Sequence, residues 1–494
     1  MGKLKHITRK ELLQIITPLG LGLVFYGCNE SVPIEITELG AGDEKDTMDQ
    51  VAEVLELSGC VLVFSEDERF ESLNQPFNLR VSKIPKCIAL CSSAVGIQHA
   101  INYANDQHLK VGIKSGGHSF ENYSTLEDGL TINLSLLKSI QVNGDEATIE
   151  SGCLLREVND ALISKGKILP AGSCGSVGIG GLTLGGGYGF FSRKYGLTCD
   201  HLIEAKMITA KGEQLIVNKD HELFKVLKGA GNGNFGVVYE FKFKIHPAPK
   251  LFRRWKLKSY KMTLERYKAL LPEWIKLTQS LPESVFAAFV QNKKTAVFLI
   301  TDFEQADLQG MIDRFAILCD KTYPMTQVPL AKALTYYYGV QESIPFKNSS
   351  AGYFNSYEDF EPFINQVIPI VLESKGLIYQ INTLGGAIGN AVFREDSIYP
   401  HRDYALLTEL QAYWEESEVG KELVQQNSKI LTIIEEAGVS AQYVNYPSAE
   451  FKSPLEKYYG KENIPQLMAL KKAYDESNLF ARPQGLSNEE ENKV

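Results

Sequence analysis

Ten glycines lie in one stretch of this chain, between Leu169 and Asp200. Each glycine loses more conformational freedom on ordering than any other residue, so such a stretch does not form an ordinary helix or strand. Its backbone can instead pass within van der Waals distance of a flat, extended ligand. We therefore expect the stretch to line a ligand site, the alternative being glycine-rich turns that hold nothing.

Two further glycine clusters lie before and after the first one. VGIKSGGHSF, from Val111 to Phe120, places two glycines before His118, where backbone N–H groups can face an anion. KGAGNGNFG, from Lys228 to Gly236, precedes a strand pattern. The chain has neither GxGxxG after a first strand nor GxxxxGK(S/T). Together the clusters predict a dinucleotide held by backbone in a non-Rossmann site.

The composition is that of a soluble globular protein. Of the 494 residues, 44% are apolar and 22% are charged. Because a chain of this length is too long to fold around a single hydrophobic core, we expect two domains. The net charge of −9 argues against a nucleic-acid partner, because binding a phosphate backbone requires a large basic surface.

The N-terminus has the layout of an export signal. Basic residues between Lys3 and Lys10 precede an apolar run that Pro18 interrupts and that is too short for a membrane span. TRKELLQ, at residues 8–14, resembles a twin-arginine signal, and FYGC, ending at Cys28, resembles a lipoprotein cleavage box. We predict a signal peptide at 1–28 and export to the periplasm, the outer membrane or the exterior; the sequence leaves open whether Cys28 is lipidated and attaches the protein to a membrane. The alternative is a buried or surface-lying N-terminal helix.

Eight cysteines are present, without a CxxC pair or the spacing of a zinc site, so we expect no structural metal. Their density is too low for a disulfide scaffold. Cys87 and Cys91 could pair locally, but a buried free thiol is the better default for most of the eight.

Strand and helix patterns alternate along the chain from residue 78. CIALCS, KVGIK, LTINLS, EATIES, EAKMITA and FGVVYEFKFKIHP predict strands, and AVGIQHAINYANDQ and LLREVNDALISKG predict helices. Beyond Pro249, KLFRRWKLKSY, SVFAAFVQN and TAVFLITDF predict antiparallel strands, with a helix in TLERYKALLPEWIKLTQ. QYVNYPSAEF and ENIPQLMALKKAYDESNLF predict a last strand and helix. The overall pattern is α+β.

The following motifs occur in order along the chain: VGIKSGGHSF, AGSCGSVGIGG, LGGGYGFFSRKYGL, GNFGVV, GGAIGN with YPHRDY, and YVNYPS. With these motifs, the chain from residue 75 to residue 482 resembles the berberine-bridge-enzyme-like FAD-linked oxidases, members of the vanillyl-alcohol-oxidase or PCMH-type group. The resemblance implies a bilobed PCMH-type FAD-binding domain at 75–249 and an α+β substrate domain with an antiparallel sheet at 250–435. A C-terminal segment at 436–482 would return to the FAD domain.

The resemblance also implies FAD attached by two covalent bonds. His118 matches the histidine bonded to the flavin 8α-methyl group, and Cys174 matches the cysteine that forms a thioether at flavin C6. A buried structural thiol is the alternative for Cys174. The other residues implied in cofactor binding are Ser115, Gly116, Gly117, Ser119, Val177, Gly178, Gly180, Gly181, Gly186, Gly187, Gly189, Asn234, Tyr443 and Asn445.

Two residues depart from the family pattern. Leu182 stands where the family has a histidine beside flavin N1 and the C2 carbonyl, so another donor must serve there. Phe120 stands where plant members often carry a tyrosine near the substrate.

Two residues match catalytic positions of the family. Tyr443 is the predicted base, because a phenol with an ordinary pKa of about 10 can serve if its phenolate is stabilised. Gln411 matches a polar side chain that orients or deprotonates substrate. A packing role is the alternative for both, and Lys347, Asn445 and Tyr446 are further candidates for support.

The resemblance implies an exported oxidase that takes a hydride from a hydroxyl-bearing small molecule and reduces O2 to H2O2. A sugar or oligosaccharide oxidised at its anomeric carbon is the first expectation. Val177, three residues after Cys174, matches the position that borders the oxygen pocket, where valine leaves the pocket open. The alternatives are a tailoring oxidase of an aromatic or alkaloid-like metabolite, a dehydrogenase with another acceptor, and an FAD-fold binding protein without turnover. The sequence predicts no oligomeric state.

Overall fold

The computed structural model describes residues 58–488 of the chain. The predicted signal peptide, with its twin-arginine-like segment and Cys28, lies outside the described residues, so export and lipidation stay predictions. Between residues 58 and 488, no helix is both long enough and apolar enough to cross a membrane.

A four-stranded sheet begins the described chain. Its strands are β1 (Cys60–Val63), β2 (Cys87–Cys91), β3 (Val111–Lys114) and β4 (Leu130–Asn133). They lie in the order β1-β2-β4-β3, with β2, β4 and β3 parallel and β1 antiparallel at one edge. Strands β2 and β4 are buried along their whole length, as is usual for a mainly parallel sheet covered on both faces.

Two helices connect these strands, α1 (Phe70–Asn74) and α2 (Ala94–Asp106). The sequence determines α2 directly, because the Oγ of Ser93 accepts a hydrogen bond from the backbone N–H of Gly96 and caps the helix. The buried side chains recur at helical spacing, at Ile97, Ala100, Ile101 and Ala104. Helix α2 thus carries the chain to β3, whose end delivers the first glycine cluster.

The cysteines of this sheet are buried free thiols, as the default predicted. Cys91 lies opposite Cys60 of β1, with the two Sγ atoms 3.8 Å apart. Cys87 is at the other end of β2, opposite Leu130. The alternative of a local Cys87–Cys91 pair is therefore wrong, because the sheet places Cys91 beside a different thiol.

A five-stranded antiparallel sheet and a two-stranded ribbon follow. The strands are β5 (Ile140–Asn143), β6 (Glu146–Glu150), β7 (Lys167–Ile168), β8 (Leu202–Ile208), β9 (Gln214–Asn218), β10 (Val237–Lys244) and β11 (His246–Pro247). The sheet has the order β5-β6-β10-β8-β9, and β7 pairs with β11 in the ribbon. The helices of this part are α3 (Leu155–Ile163), α4 (Ile179–Leu184), α5 (Ser192–Tyr195) and α6 (Leu223–Ala230).

The largest sheet has eight antiparallel strands. They are β12 (Leu251–Ser259), β13 (Val285–Asn292), β14 (Thr295–Asp302), β15 (Lys321–Thr322), β16 (Thr326–Pro329), β17 (Ser349–Phe354), β18 (Leu377–Thr383) and β19 (Leu406–Ala412). Their order is β15-β12-β14-β13-β18-β19-β17, with β16 also paired to β12. The predicted domain boundary at 249/250 falls between β11 and β12.

The remaining helices flank this sheet or end the chain. They are α7 (Leu264–Gln279), α8 (Gln309–Ala316), α9 (Leu330–Thr335), α10 (Glu361–Glu373), α11 (Ala391–Glu395), α12 (Ser417–Glu436), α13 (Pro454–Tyr459) and α14 (Ile464–Tyr474). Helices α7, α10 and α12 pack on one face of the sheet, where Leu406, Leu410 and Ala412 of β19 join the main core. The alternate residues of β19 therefore point away from that core.

The C-terminal segment lies against the first sheet. The N–H of Val111, at the start of β3, donates to the carbonyl of Leu479 at 2.8 Å, and Phe480 is buried in the same core cluster. The predicted strand in QYVNYPSAEF is wrong, because residues 442–451 form an irregular loop whose hydrogen bonds go largely to side chains and turns. This loop carries Tyr443 to the centre of the molecule.

Candidate active site

A cavity of about 300 Å³ lies where the glycine-rich loops meet the loop after α12 and the face of the largest sheet opposite α7, α10 and α12. Backbone and aromatic rings form most of its wall, and a small set of polar side chains converges on it, as in most ligand sites. Of the predicted site residues, thirteen line it: Ser115, Gly116, Gly117, His118, Ser119, Cys174, Val177, Gly178, Gly180, Gly181, Gln411, Tyr443 and Asn445.

Two glycine loops touch at the floor of this cavity. A Cβ atom on Gly116 would lie 2.4 Å from the backbone N of Gly178, so neither loop tolerates a side chain at the crossing. Gly117 adopts φ +65°, a left-handed conformation that favours glycine. The Oγ of Ser115 donates to the carbonyl of Ser151 at 2.5 Å, which joins the loop to the residue directly after β6. The glycines thus expose backbone without side chains to the cavity, and the loop crossing and the Ser115 hydrogen bond fix the position of that backbone.

His118 and Cys174 lie side by side, although they come from different loops. The Sγ of Cys174 is 3.7 Å from the Nε2 of His118, and the imidazole stacks on Phe77 with ring centroids 3.9 Å apart. Burial lowers the pKa of His118 to about 4 and raises the pKa of the Cys174 thiol. At neutral pH the cavity therefore contains a neutral imidazole, with a free nitrogen lone pair, next to a protonated thiol.

Four predicted cofactor residues do not line the cavity: Gly186, Gly187, Gly189 and Asn234. The three glycines permit close packing within the protein, since a Cβ on Gly187 would meet the side chain of Thr198 at 2.4 Å. A Cβ on Gly189 would meet the carbonyl oxygen of Ala171 at 2.0 Å. Their contact with the cofactor stays a prediction, and the structure shows close packing within the protein at Gly187 and Gly189.

Asn234 is fully buried and makes structural hydrogen bonds, while its contact with the cofactor stays a prediction. Its Nδ2 donates to the carbonyl of Ala230 at 2.7 Å and to the hydroxyl of Tyr459 at 3.2 Å, and its Oδ1 accepts from the N–H of Leu486 at 3.1 Å. Asn232, two residues earlier, is the asparagine that lines the cavity. Gly233, between the two asparagines, adopts φ +72°, and Asn232 lines the cavity whereas Asn234 is fully buried.

Tyr443 presents its hydroxyl to the cavity and is otherwise buried. The hydroxyl oxygen accepts hydrogen bonds from the backbone N–H of Gly187 at 2.9 Å and from the Nδ2 of Asn445 at 3.0 Å. Burial raises the pKa of Tyr443, and the two donors oppose this shift by favouring the phenolate. In the neutral phenol both oxygen lone pairs are used, so its one hydrogen is left for a group in the cavity.

A row of polar side chains follows β18 and β19 along the cavity wall. Gln411 lines the cavity and donates to Gln380 at 3.4 Å, and Gln380 donates to Asn382 at 2.7 Å. The Nδ2 of Asn382 donates to the hydroxyl of Tyr188 at 3.2 Å, and that hydroxyl lies 3.0 Å from the one of Tyr446. These five side chains thus form one continuous chain of hydrogen bonds along the cavity wall.

The structure places the remaining candidates near the wall or behind it. Phe120 and Leu182 line the cavity, and Tyr446 stacks on Phe120 with ring centroids 5.1 Å apart. Lys347 is fully buried behind the wall, where its ammonium lies 2.7 Å from the carboxylate of Glu121 and 3.0 Å from the hydroxyl of Ser448. Support by Lys347 is therefore structural.

Sequence reasoning missed several lining residues: Phe77, Tyr188, Asn232, Phe346, Asn348, Glu409, Tyr413 and Arg482. Glu409 carried a usable signal, because an acidic residue two positions before Gln411 on a buried strand points to the same face. Phe346 and Asn348 carried none, since they precede β17 far along the chain from the glycine clusters.

The residues present fit FAD. The loop crossing at Gly116 and Gly178 leaves a cradle of backbone that a side chain would fill, which suits a flat, extended ligand. His118 and Cys174 are the nucleophilic side chains at one end of the cavity, and Arg482 supplies a guanidinium among the lining residues.

Two family models match the chain. The model described as "FAD binding domain" matches residues 85–218, and the one described as "Berberine and berberine like" matches residues 442–487. The first match holds two of the glycine clusters with His118 and Cys174, and the second holds the loop with Tyr443. The matched segments are the ones that meet at the cavity.

Two curated relatives match over most of their length. The uncharacterized FAD-linked oxidoreductase YgaK of Bacillus subtilis is 28% identical over 441 residues, which cover 86% of this chain and 96% of the relative. A chitooligosaccharide oxidase of Gibberella zeae is 27% identical over 452 residues, covering 83% of this chain and 89% of the relative.

Solved structures show the same fold. BBE-like 1 of Physcomitrella patens superposes with a TM-score of 0.80 at 22% identity, covering 89% of this chain and 99% of that one. A glucooligosaccharide oxidase of Acremonium strictum superposes with a TM-score of 0.79 at 23% identity, covering 88% and 98%. That oxidase carries a 6-S-cysteinyl, 8α-N1-histidyl FAD.

Proposed function

The chain belongs to the berberine-bridge-enzyme-like FAD-linked oxidoreductases, and on this premise we propose that it is an oxidase of carbohydrates. It would oxidise a sugar or oligosaccharide at the anomeric hydroxyl and reduce O2 to H2O2. The observation that carries the proposal is the cavity itself: His118 and Cys174 face the same space as the hydroxyls and amides of the sheet wall.

We propose that His118 and Cys174 hold FAD by the two bonds that the resemblance implies. A neutral imidazole is the form of histidine that can attack an electrophilic carbon, and burial keeps His118 in that form. Ser115 to Ser119 and the loop from Gly178 to Gly181 would lie along the dinucleotide. FAD, when bound, accepts a hydride from carbon and passes two electrons to oxygen.

Tyr443 and Gln411 are the groups that we propose contact the reacting hydroxyl. Two donors occupy the oxygen lone pairs of the Tyr443 hydroxyl, so its hydrogen is available to bond the substrate oxygen and hold it in place. The side chain of Gln411 lies in the same wall and can orient a second hydroxyl. Orientation of this kind favours hydride transfer, because the reacting carbon is kept in one position.

A carbohydrate suits the rest of the cavity. Sugars offer many hydroxyls together with apolar C–H faces, and the wall combines amides and hydroxyls with the aromatic rings of Phe120, Phe346 and Tyr446. The Nδ2 of Asn348 also lies in this wall, donating to the hydroxyl of Tyr413 at 2.7 Å.

The same rings suit a second class of substrate, an aromatic or alkaloid-like alcohol, which would stack on them. Phe120 and Phe346 meet edge to face with centroids 5.4 Å apart, and this apolar corner could receive a planar ring. A carbohydrate needs more hydrogen bonds from the cavity wall than an aromatic alcohol does, so measuring activity on both classes of substrate separates the two proposals.

The test is peroxide release from a panel of mono-, di- and oligosaccharides and of benzylic alcohols, with the variant Tyr443→Phe as a blank. We expect the highest rates with carbohydrates that have a free anomeric hydroxyl, and no release after that hydroxyl is methylated. Release from the benzylic alcohols alone would assign the second class. Flavin reduction without peroxide would indicate a dehydrogenase.

A further inference from the structure

A row of positive charges lies on β12, at the side of the largest sheet away from the residues that line the active-site cavity. Arg254, Lys256 and Lys258 alternate along this strand, with Trp255 and Leu257 between them. Trp255 and Leu257 are buried in the main core. Because successive side chains of a strand point to opposite faces, the three cationic side chains lie together on the other face.

Lys321 joins the same face from the neighbouring strand β15. It lies directly opposite Lys258 across the two strands, an arrangement of like charges that destabilises a sheet. The Nζ atoms of Lys321, Lys256 and Lys258 lie 4.6, 5.2 and 5.9 Å from the ring centroid of Tyr323. We call these three lysines and Tyr323 the lysine cluster. Three positive charges thus share one aromatic ring.

No carboxylate neutralises the lysine cluster. Within residues 58–488, none of its three lysines forms an ion pair. Asp320 precedes Lys321 in the chain, but its carboxylate is bound elsewhere. It accepts hydrogen bonds from the guanidinium of Arg266 at 2.8 Å and from the backbone N–H of Tyr260 at 2.6 Å. The positive charge of the cluster is therefore left without a counterion.

The effect of this charge is visible at Lys256, which is half-buried. Burial, together with the neighbouring charges of Lys258, Arg254 and Lys321, lowers the pKa of its ammonium group to about 8. No carboxylate of the described chain opposes this shift. The group remains largely charged at neutral pH, so a chain with a net charge of −9 concentrates unpaired positive charge at this place.

The lysine cluster is accessible to a ligand. Lys321 is exposed, and so is Tyr260, whose hydroxyl shares a hydrogen bond with that of Tyr323. The Cβ atoms of directly opposite residues are about 4.5–5.5 Å apart, so the ammonium groups of Lys258 and Lys321 can both donate to one oxyanion.

We propose that the lysine cluster is an oxyanion-binding site, which takes a phosphate, sulfate or carboxylate group as the counterion that the protein itself does not supply. The group has two possible sources, a free inorganic anion and an acidic oligosaccharide. The second source is considered because the site and the cavity share one face of the sheet. Lys258 pairs with Val297 of β14, and Val297 pairs with Val290 of β13, which lines the cavity. Two strand spacings, about 10 Å, separate β12 from β13.

The test compares two double variants. The cluster variant carries Lys258→Gln and Lys321→Gln, which remove the two lysines that face each other. The control variant carries Lys165→Gln and Lys219→Gln, which remove the same amount of positive charge from two exposed lysines elsewhere. Lys321→Gln alone, at the exposed side of the cluster, replaces the cluster variant if the double change does not fold.

The first readout is the thermal unfolding midpoint of the holoenzyme at neutral pH and low, constant ionic strength, with and without millimolar inorganic phosphate. Phosphate also stabilises proteins in general because it is excluded from their surfaces, and the control variant measures that part. We expect phosphate to raise the midpoint of the unmodified protein and of the control variant by about 2 °C or more, and to leave the cluster variant unchanged. Equal shifts in all three proteins, or no shift in any, would overturn the proposal for phosphate.

The second readout is isothermal titration with oligogalacturonate and with a neutral oligosaccharide of the same length. Oligogalacturonate that binds the unmodified protein about tenfold more tightly than phosphate does, and that the cluster variant no longer binds, would identify an acidic sugar chain as the source. Binding of phosphate alone would identify a free anion. Failure of both anions to bind, or binding that the cluster variant retains, would overturn the proposal. Because the readouts measure binding, they do not depend on which substrate the cavity oxidises.

Discussion

The Sγ of Cys174 lies 3.7 Å from the Nε2 of His118, although the two residues come from different glycine-rich loops. The first loop follows β3, and the second lies between β7 and α4. Their contact at Gly116 and Gly178 is what brings the imidazole and the thiol together. One ligand that reaches either side chain therefore reaches both.

The flavin is expected to stay with the protein after denaturation. Acid precipitation followed by mass spectrometry of peptides should find flavin on His118 and on Cys174, and each single alanine variant should retain one bond. The double variant should release the flavin into the supernatant. Cys153→Ala is the matched control: it removes a buried thiol in the turn after β6, away from the cavity, and should keep both bonds to the flavin. Flavin released freely from the unmodified protein would contradict the account.

Tyr443→Phe should slow flavin reduction by about 100-fold or more, because it removes the hydroxyl that would contact the substrate. Tyr353→Phe is the control: that tyrosine is equally buried in the same aromatic cluster, but its hydroxyl contacts Tyr399 and does not line the cavity. Rapid mixing without oxygen measures both. Equal rates for the two variants would show that Tyr443 only fills space.

Val177→Ile should slow reoxidation by oxygen about tenfold or more while leaving reduction by substrate nearly unchanged. Val177 lines the cavity and packs against the main core, so an added methylene has little room and must narrow the space beside Cys174. Val217→Ile adds the same methylene to a buried site on β9, away from the cavity. Reoxidation that is equally fast in all three proteins would place the oxygen path elsewhere.

Asn234→Ala should lower the urea midpoint of unfolding, since it leaves the N–H of Leu486 and the carbonyl of Ala230 without their partner. Each stranded buried group costs about 1–3 kcal/mol. Asn232→Ala, at the cavity side of the same turn, should leave the midpoint nearly unchanged. A normal midpoint for Asn234→Ala, together with a loss of flavin, would restore Asn234 to the cofactor site.

The sequence predicts the parts of this site that short motifs carry. The paired glycines with His118, the AGSC segment with Cys174 and the YVNY segment with Tyr443 each depend on neighbours within a few residues, and the cavity contains all three. The strands around them follow the predicted patterns, because buried β-branched and aromatic runs leave little choice of structure.

The parts that the sequence could not predict depend on long-range placement. Thr198 occupies the space beside Gly187 where a Cβ would stand, and only the fold shows this packing. Residues 442–451 alternate like a strand but lie on no sheet edge, so they remain a loop. The spacing of Glu409 and Gln411 predicts that they share one face of β19, but only the fold shows that this face lines the cavity.

The central claim is that this cavity transfers electrons from a carbohydrate to oxygen. The most direct measurement follows flavin absorbance after anaerobic mixing with the best oligosaccharide, and then after oxygen is added. The account predicts that the absorbance is lost, that it returns with oxygen, and that about one H2O2 appears per flavin. Absorbance unchanged by every carbohydrate, or lost and not restored by oxygen, would contradict it.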